Sequence, residues 1–211
     1  QYARLGTLLA QRGEADESIE ILLESVERAE KQFGPHHPTV GLWASNLANA
    51  MQIAGRTEEG LVWAKRAVDN RERAQGLDHP KTGYSLVSYG VLARQNGDVD
   101  EAQKSFQRAE AIFKKHLPPD DPKLAVVANN LGRVAFTRKD YAVAEKRHDE
   151  ARAIFVKRYG EVHPRIANTD AQRCDVFAAQ ELWSKAIAAC QSEVDIRKAT
   201  AGENAPRVAL K

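Results

Sequence analysis

Proline recurs along this chain at an interval of 42 residues. Of the eight prolines among 211 residues, five fall in phase. They are Pro38, Pro80, Pro122, Pro164 and Pro206. Self-similarity at a fixed period of this length is typical of repeat architectures, in which each unit buries its apolar face against its neighbours. The spacing therefore predicts a stack of about five similar units.

Each in-phase proline closes a short junction that recurs in the sequence. The junction reads Gly-Pro-His-His-Pro at 34–38, Gly-Leu-Asp-His-Pro at 76–80 and Gly-Glu-Val-His-Pro at 160–164. Two copies, at 118–122 and 202–206, are degraded. Proline suits the first position of a helix, where its missing N–H is no loss, so each junction predicts the start of a helix.

Local signals predict two helices in each unit. In the second unit the first helix is expected over roughly 39–53, ending near Gly55, because a glycine readily adopts the left-handed conformation that closes a helix. In the third unit the second helix is expected to start at Asp98, which forms a capping-box spacing with Glu101. This helix should run about 17 residues, with apolar positions at helical spacings of three and four. Its apolar face is Val99, Ala102, Phe106, Ala109, Ile112 and Phe113.

Small residues occupy fixed places in the repeat, which allows two helices to cross closely. One such column is Gly6, Ala48, Gly90, Gly132 and Cys174, and another is Ser18, Gly60, Ala102, Ala144 and Ala186. A third column holds the glycines expected in the turns, and it reads Gly13, Gly55, Gly97, Lys139 and Glu181. The fifth unit departs from the pattern, since Arg173 and Glu181 stand where leucine and glycine are expected. We therefore expect its turn or its packing to be irregular, or the unit to approach a solvent-facing end.

The repeat resembles the tetratricopeptide repeat, in the 42-residue form seen in kinesin light chains. The resemblance is carried by Asn46-Leu47-Ala48 and Asn130-Leu131-Gly132, by the turn at 97–102 and by the Gly-x-x-His-Pro junctions. It covers essentially the whole chain. The resemblance implies an all-α fold, a right-handed α-solenoid of antiparallel helix pairs. It implies far less about function, because this fold serves many unrelated partners.

The repeat divides the chain into a single array over residues 1–211. The units are an incomplete one at 1–37, four full ones at 38–79, 80–121, 122–163 and 164–205, and the start of a sixth at 206–211. The chain opens on Gln1 and reaches Pro206 in phase. We therefore expect it to be a fragment of a larger protein.

Charge and composition argue against several classes of partner. The chain has 31 basic and 29 acidic residues, a formal charge of +2, and lacks the dense basic stripe that nucleic-acid binding requires. No run of 18 apolar residues occurs, so we expect no membrane span. Two cysteines cannot form a disulfide framework, and a reducing, cytoplasmic location is the default expectation.

The sequence offers little catalytic chemistry. His37, His79 and His163 recur with the junctions, too far apart to share one metal, so we interpret them as structural. His148 lies in a packing column with Leu22, Ala64, Phe106 and Cys190, which favours a partly buried, hydrogen-bonded histidine over a metal ligand. Cys174 and Cys190 lie in packing columns of one unit, and we interpret them as small buried hydrophobes. We expect no enzyme activity, no cofactor and no metal site.

The first helices should line the inner, concave wall of the solenoid, where extended partner segments bind. The family pattern and the helical spacing select ten partner-binding residues there. They are Ser45, Asn46, Asn49, Gln52, Val91, Arg94, Asn129, Asn130, Arg133 and Phe136. Carboxamides both donate and accept hydrogen bonds and can therefore hold a peptide backbone of any sequence. The alternative is that these amides form ordinary solvated surface.

The sequence therefore predicts a protein-interaction scaffold that binds a peptide or helical segment of a partner in its groove. An alternative is a regulatory repeat array within a larger signalling enzyme, a nucleotide-switch ATPase or a caspase-like protease. A third hypothesis is self-association through the open terminal repeats.

Trp183 stands at the place of Tyr141, a turn-packing site, so we expect it in the core.

Overall fold

The computed structural model of the chain describes residues 2–201, and this part contains ten α-helices and no strand. The first helices of the repeats are α1 (Tyr2–Arg12), α3 (Pro38–Ile53), α5 (Pro80–Gln95), α7 (Pro122–Thr137) and α9 (Pro164–Ala179). The second helices are α2 (Ala15–Phe33), α4 (Thr57–Gln75), α6 (Val99–His116), α8 (Tyr141–Tyr159) and α10 (Trp183–Ala201). The helix boundaries confirm the predicted phase. The predicted start of a sixth unit, 206–211, lies outside the described residues.

Each odd-numbered helix packs against the even-numbered helix that follows it, so residues 2–201 form five helix hairpins. These hairpins belong to two compact units divided between His116 and Leu117. Within the first unit α1 contacts α3 and α3 contacts α5, and within the second unit α7 contacts α9. Within each unit, first helices of successive repeats are therefore neighbours, as the predicted all-α arrangement of antiparallel helix pairs requires.

Four first helices begin in the same way, with proline at the first turn and a capping side chain before it. Asp121 Oδ1 accepts a hydrogen bond from Lys123 N at 2.9 Å and so caps α7. At the other junctions the Nδ1 atom of His37, His79 or His163 accepts from the backbone N–H two residues later. The junction histidines therefore have the structural role that was predicted, since each satisfies a backbone donor at the start of a helix.

Each hairpin crosses where a small residue of the first helix faces the second helix. A Cβ added to Gly90 would lie 2.8 Å from Phe106 Cε1, and one added to Gly132 would lie 2.6 Å from His148 Cε1. Glycine is therefore required at these two crossings by the ring that occupies the space. The five crossing pairs are Gly6–Leu22, Ala48–Ala64, Gly90–Phe106, Gly132–His148 and Cys174–Cys190.

The fifth crossing is a disulfide bond, and the interpretation of its cysteines as small buried hydrophobes was wrong. Cys174 of α9 and Cys190 of α10 have Cα atoms 5.3 Å apart and are joined through their sulfur atoms. This Cα separation lies within the range that a disulfide spans. The two repeat columns that contain Cys174 and Cys190 face each other at the crossing, which brings the two sulfur atoms together.

The turn of the fifth hairpin keeps the conformation of the others, so the expected irregularity does not lie in the turn. Lys139 and Glu181 have positive φ angles of 61° and 59°, and Gly97 at the same place has a φ of 88°. The departure at Arg173 also has a structural reason. Its Nη1 atom lies 3.0 Å from Oδ1 of Asp170, a carboxylate with 0% exposure.

Trp183 is not in the core, and the prediction for it was wrong. Its side chain is 61% exposed at the start of α10. In the preceding hairpin Tyr141 packs against Phe136 with ring centroids 5.7 Å apart. The residue at the place of Phe136 in the fifth repeat is Ala178, which offers no aromatic face to Trp183. The aromatic contact is therefore absent from this turn.

Candidate functional site

The inner faces of α7 and α9 line a groove of about 430 Å³ in the second unit. From α7 it includes Asn129, Asn130 and Arg133, three of the predicted binding residues. From α9 it includes Gln172 and Asp175, which occupy the same repeat columns as Asn130 and Arg133. Because α7 and α9 are first helices of successive repeats, equal positions on the two helices come to lie side by side.

The amide of Asn129 is held by the protein itself. Its Nδ2 atom donates to Thr169 Oγ1 at 2.7 Å, and its Oδ1 lies 3.0 Å from His148 Nδ1. Thr169 Oγ1 in turn donates to the carbonyl of Arg165 at 2.9 Å. Asn129 therefore ties α7 to α8 and α9, and its polar atoms are used in positioning the groove wall.

His148 is buried, with 1% exposure, beneath this wall. Burial, followed by the positive charges of Arg133 and Arg173, lowers the pKa of His148 to about 4. The ring is therefore neutral near pH 7, and its Nδ1–H donates to Asn129 Oδ1. The predicted buried, hydrogen-bonded role of His148 is confirmed.

The Asn130 side chain is only partly used within its own helix. Its Nδ2 atom donates to the carbonyl of Val126, one turn earlier, at 2.9 Å. On the neighbouring helix the Oε1 atom of Gln172 is buried and has no hydrogen-bond partner among the described residues. A buried acceptor without a donor is costly, so a ligand that brings an N–H group to Gln172 would relieve this cost.

Positive charge in the groove comes from more than one helix. Within residues 2–201, the guanidinium of Arg133 is exposed and forms no ion pair, and that of Arg165 lies over the Phe155 ring at 5.7 Å from its centroid. Arg197 of α10 is already engaged, since it donates to Glu193 and to Asn168 Oδ1. The groove therefore offers two guanidinium groups to an incoming acceptor.

Phe155 and Arg197 were not predicted because they lie on second helices, and only first helices were considered. Arg165 was not predicted because it lies in the first turn of α9, before the repeat columns selected on the first helices. Phe155 and Arg197 belong to one second-helix column, which also contains Ala29, Arg71 and Phe113. This column reaches the groove from behind the first helices. Four of its five members are aromatic or basic, and this composition was a signal that the sequence contained.

The remaining predicted residues lie elsewhere. Phe136 packs on Tyr141 and does not line this groove. The first unit holds the other six, which are Ser45, Asn46, Asn49, Gln52, Val91 and Arg94.

Contacts between neighbouring first helices also occur in the first unit. Asn46 Nδ2 donates to Thr7 Oγ1 at 3.2 Å, which joins α3 to α1. Gln52 Nε2 donates to Gln95 Oε1 at 3.0 Å, which joins α3 to α5. Asn49 is exposed. The inner columns therefore adjoin one another here too, but several of their amides already have partners.

Two further features bear on chemistry. Among the described residues no three His, Cys, Asp or Glu side chains are grouped so that they could hold a metal ion. Over the same residues, no helix combines the length and the apolar character that crossing a membrane requires.

Family models of the tetratricopeptide repeat match most of the chain. One matches residues 1–59 and 39–115, and a second matches residues 124–165. No curated protein sequence matches the chain.

Solved structures with the same fold include repeats related to kinesin light chains. The putative kinesin light chain nearly identical TPR-like repeats from Podosopora anserina superpose with a TM-score of 0.77 at 21% identity, covering 96% of each chain. BtubC (BKLC) from P. vanneervenii gives a TM-score of 0.79 at 21% identity, covering 98% of this chain and 83% of its own. PlcR from Bacillus thuringiensis, in complex with the peptide PapR7 and DNA, gives 0.71 at 12% identity, covering 95% and 70%.

The likeness in structure is one of fold, and the family models add the sequence pattern. Together with the 42-residue phase of the helix starts, they identify the repeat. The chain belongs to the tetratricopeptide repeat family.

Proposed function

We propose that the chain is a protein-interaction module without catalytic activity, and that it binds an extended segment of a partner protein in the groove between α7 and α9. The observation that carries this proposal is the convergence of unused polar groups in one concave site. Arg133 and Arg165 lack ion pairs among the described residues, and Gln172 Oε1 lacks a donor. Clefts with a few convergent polar groups are the usual form of ligand sites.

The chemistry of the groove selects its ligand. The Gln172 acceptor and the Asn130 amide suit the N–H and C=O groups of a peptide backbone, whatever its side chains. The two free guanidinium groups favour one or two carboxylates in the bound segment, because charge-assisted hydrogen bonds are about twice as strong as neutral ones. PlcR, which shares the fold, is recorded with a bound peptide, and this supports a peptide as the class of ligand.

The test uses peptides selected on the wild-type chain from a random display library. Their affinities are then measured by fluorescence anisotropy for wild type and for the double variant Asn130→Ala with Arg133→Glu. We expect the dissociation constant to rise about tenfold or more, as for a central contact residue. The matched control is Arg158→Glu, which reverses an exposed charge of α8 that does not line the groove. If all selected peptides bind wild type and the double variant with equal affinity, the groove is not their binding site.

A second candidate function, self-association, rests on apolar side chains exposed on α1 and α10. Leu5 and Leu8 of α1 are 48% and 50% exposed, whereas Leu47 and Ala50, at the same repeat positions, are fully buried. On α10, Ile187 is 69% exposed. We propose that a second copy covers these faces, since exposed apolar clusters mark interaction sites.

Light scattering should give a mass above that of the monomer, and this mass should fall when Leu5 and Leu8 are both changed to Gln. A monomeric mass for wild type at high concentration contradicts the idea.

A further inference from the structure

We propose that the Cys174–Cys190 disulfide is a reversible redox clasp that holds the α9 wall of the groove in place. The bond occupies the crossing of the fifth hairpin, where the other hairpins pack a glycine or an alanine against a residue of the second helix. The inference concerns regulation of the groove and in that part rests on the function proposed above. The clasp itself is testable without any groove ligand.

The fifth hairpin depends on the clasp because its other packing is thin. The buried residues of α10 are Ala186, Ala189 and Ile196. In contrast, α6 buries two phenylalanines, Phe106 and Phe113, against its partner helix. A cross-link stabilises a hairpin mainly by restricting its open state, so its loss matters most where apolar burial is small.

The position of the clasp couples it to the groove. Cys174 lies on α9 beside Asp175 and two residues after Gln172, both of which line the groove. Across the same hairpin, Arg197 of α10 donates to Asn168 Oδ1 at 3.0 Å. When α9 and α10 separate, this contact and the placement of the α9 groove residues change together.

A polar contact limits the opening to a local change. Ser192 Oγ of α10 donates to Asp170 Oδ2 of α9 at 2.7 Å. This hydrogen bond lies one turn beyond the crossing and does not depend on the sulfur atoms. Reduction should therefore loosen the hairpin without unfolding the second unit.

The two cysteines form their disulfide by exchange with a small-molecule disulfide, which is the oxidant. The Cys190 thiolate, on the half-buried side, attacks one sulfur of the oxidant, forming a mixed disulfide and releasing one thiolate. The Cys174 thiolate then attacks the Cys190 sulfur, forming the protein disulfide and releasing a second thiolate. Two electrons pass from the cysteines to the oxidant, and their two protons are taken up by the released thiolates. A dithiol reverses both steps.

The experiment equilibrates the full chain in buffers of oxidised and reduced glutathione over a wide range of ratios. Free thiols are trapped by alkylation and counted by mass, and hydrogen exchange is followed for α9 and α10. We expect the amides of α9 and α10 to exchange about tenfold faster in the reduced form, because the cross-link restricts local opening. The α7–α8 hairpin, which crosses at Gly132 and His148, serves as the internal control.

Two variants make the test decisive. Cys174→Ala with Cys190→Ala should be loose at every ratio. Cys174→Gly with Cys190→Leu rebuilds the Gly6–Leu22 pair of the first hairpin and should stay closed at every ratio. The clasp is overturned if reduced and oxidised wild type exchange equally, or if both thiols stay free at the most oxidising ratio.

The coupling to the groove is read separately, with the selected peptides. Oxidised wild type should bind them more tightly than reduced wild type, and the variant Cys174→Gly with Cys190→Leu should bind equally in both buffers. Equal affinities for oxidised and reduced wild type, with a functioning clasp, would overturn the coupling. If no peptide binds either form, the groove function fails while the exchange data still decide the clasp.

Discussion

At the scale of single residues, the same place in the repeat is filled by side chains of very different chemistry. The second-helix member of the crossing pair is a leucine, an alanine, a phenylalanine, a histidine or a cysteine. What these residues share is a fit to the small residue opposite them, since packing in a core is set by volume and shape. His148 is the one whose side chain has a lowered pKa and forms a hydrogen bond to the groove wall.

The lowered pKa of His148 makes the stability of the second unit dependent on pH. The ordinary pKa of 6.5 falls to about 4 in the folded chain, so folding favours the neutral ring. Stability from this group is therefore fully present above about pH 6.5 and is lost as the pH falls towards 4. We expect a loss of about 3 kcal/mol across this window, measured by urea unfolding at each pH.

The control for this prediction is His148→Phe, which places at the fourth crossing the residue of the third. This variant should lose less stability than wild type between pH 6.5 and pH 4, because no ring nitrogen remains to be protonated there. An identical pH profile for the two proteins would show that other groups cause the acid sensitivity.

At the scale of helices and hairpins, the turn between paired helices has one backbone conformation and several sequences. Glycine occupies the left-handed position in three hairpins, and Lys139 and Glu181 adopt it in the other two. A side chain there costs energy because its Cβ crowds the following carbonyl. The hairpins tolerate the cost because the packed helices on both sides determine the turn.

Exchanging residues between these turns should change stability in opposite directions. Glu181→Gly removes the steric cost and should stabilise the chain by up to about 1 kcal/mol, after allowance for the greater freedom of the unfolded state. Gly97→Ala introduces the cost and should destabilise by about 1 kcal/mol. Thermal unfolding at neutral pH measures both. The idea fails if both substitutions shift the midpoint in the same direction.

The period made most element boundaries predictable, but it could not identify partners across helices. The helix α3 begins at Pro38, one residue before the predicted start. The prediction came this close because the proline, the cap and the closing glycine are all local signals. The Cys174–Cys190 bond was missed, although both columns were known, because bonding depends on the distance and orientation of two Cβ atoms. The sequence indicated a binding role for Asn129 but not its structural role. The position of Asn129 in the sequence does not reveal that His148 and Thr169 lie beside it.

At the scale of the whole molecule, the described chain consists of two compact units with different internal ties. The second unit contains a buried ionic network centred on Asp170, which has 0% exposure. Its Oδ1 atom accepts hydrogen bonds from Arg152 Nε at 2.9 Å and from Arg173 Nη1 at 3.0 Å. Its Oδ2 atom accepts a hydrogen bond from Ser192 Oγ. Because these residues lie on α8, α9 and α10, the network joins three consecutive helices.

Removing the charge of Asp170 should weaken the second unit selectively. Asp170→Asn leaves two partly buried guanidinium groups without their shared carboxylate, and we expect a loss of roughly 3 kcal/mol. Hydrogen exchange should accelerate in residues 117–201 and stay unchanged in residues 2–116. The control Asp149→Asn removes an exposed partner of Arg173 and should cost less than about 1 kcal/mol. Uniform acceleration over both units would show that the units do not respond separately.

The shared geometry of the hairpin crossings gives the repeat a position that can be locked by choice. The crossing that holds Cys174 and Cys190 corresponds to Ala48 and Ala64 in the second hairpin, both of which are buried. Paired replacements there by cysteine, in a background without the native pair, would fasten one hairpin at a time. A series of such singly fastened proteins would show, hairpin by hairpin, which part of the chain must move when a partner binds.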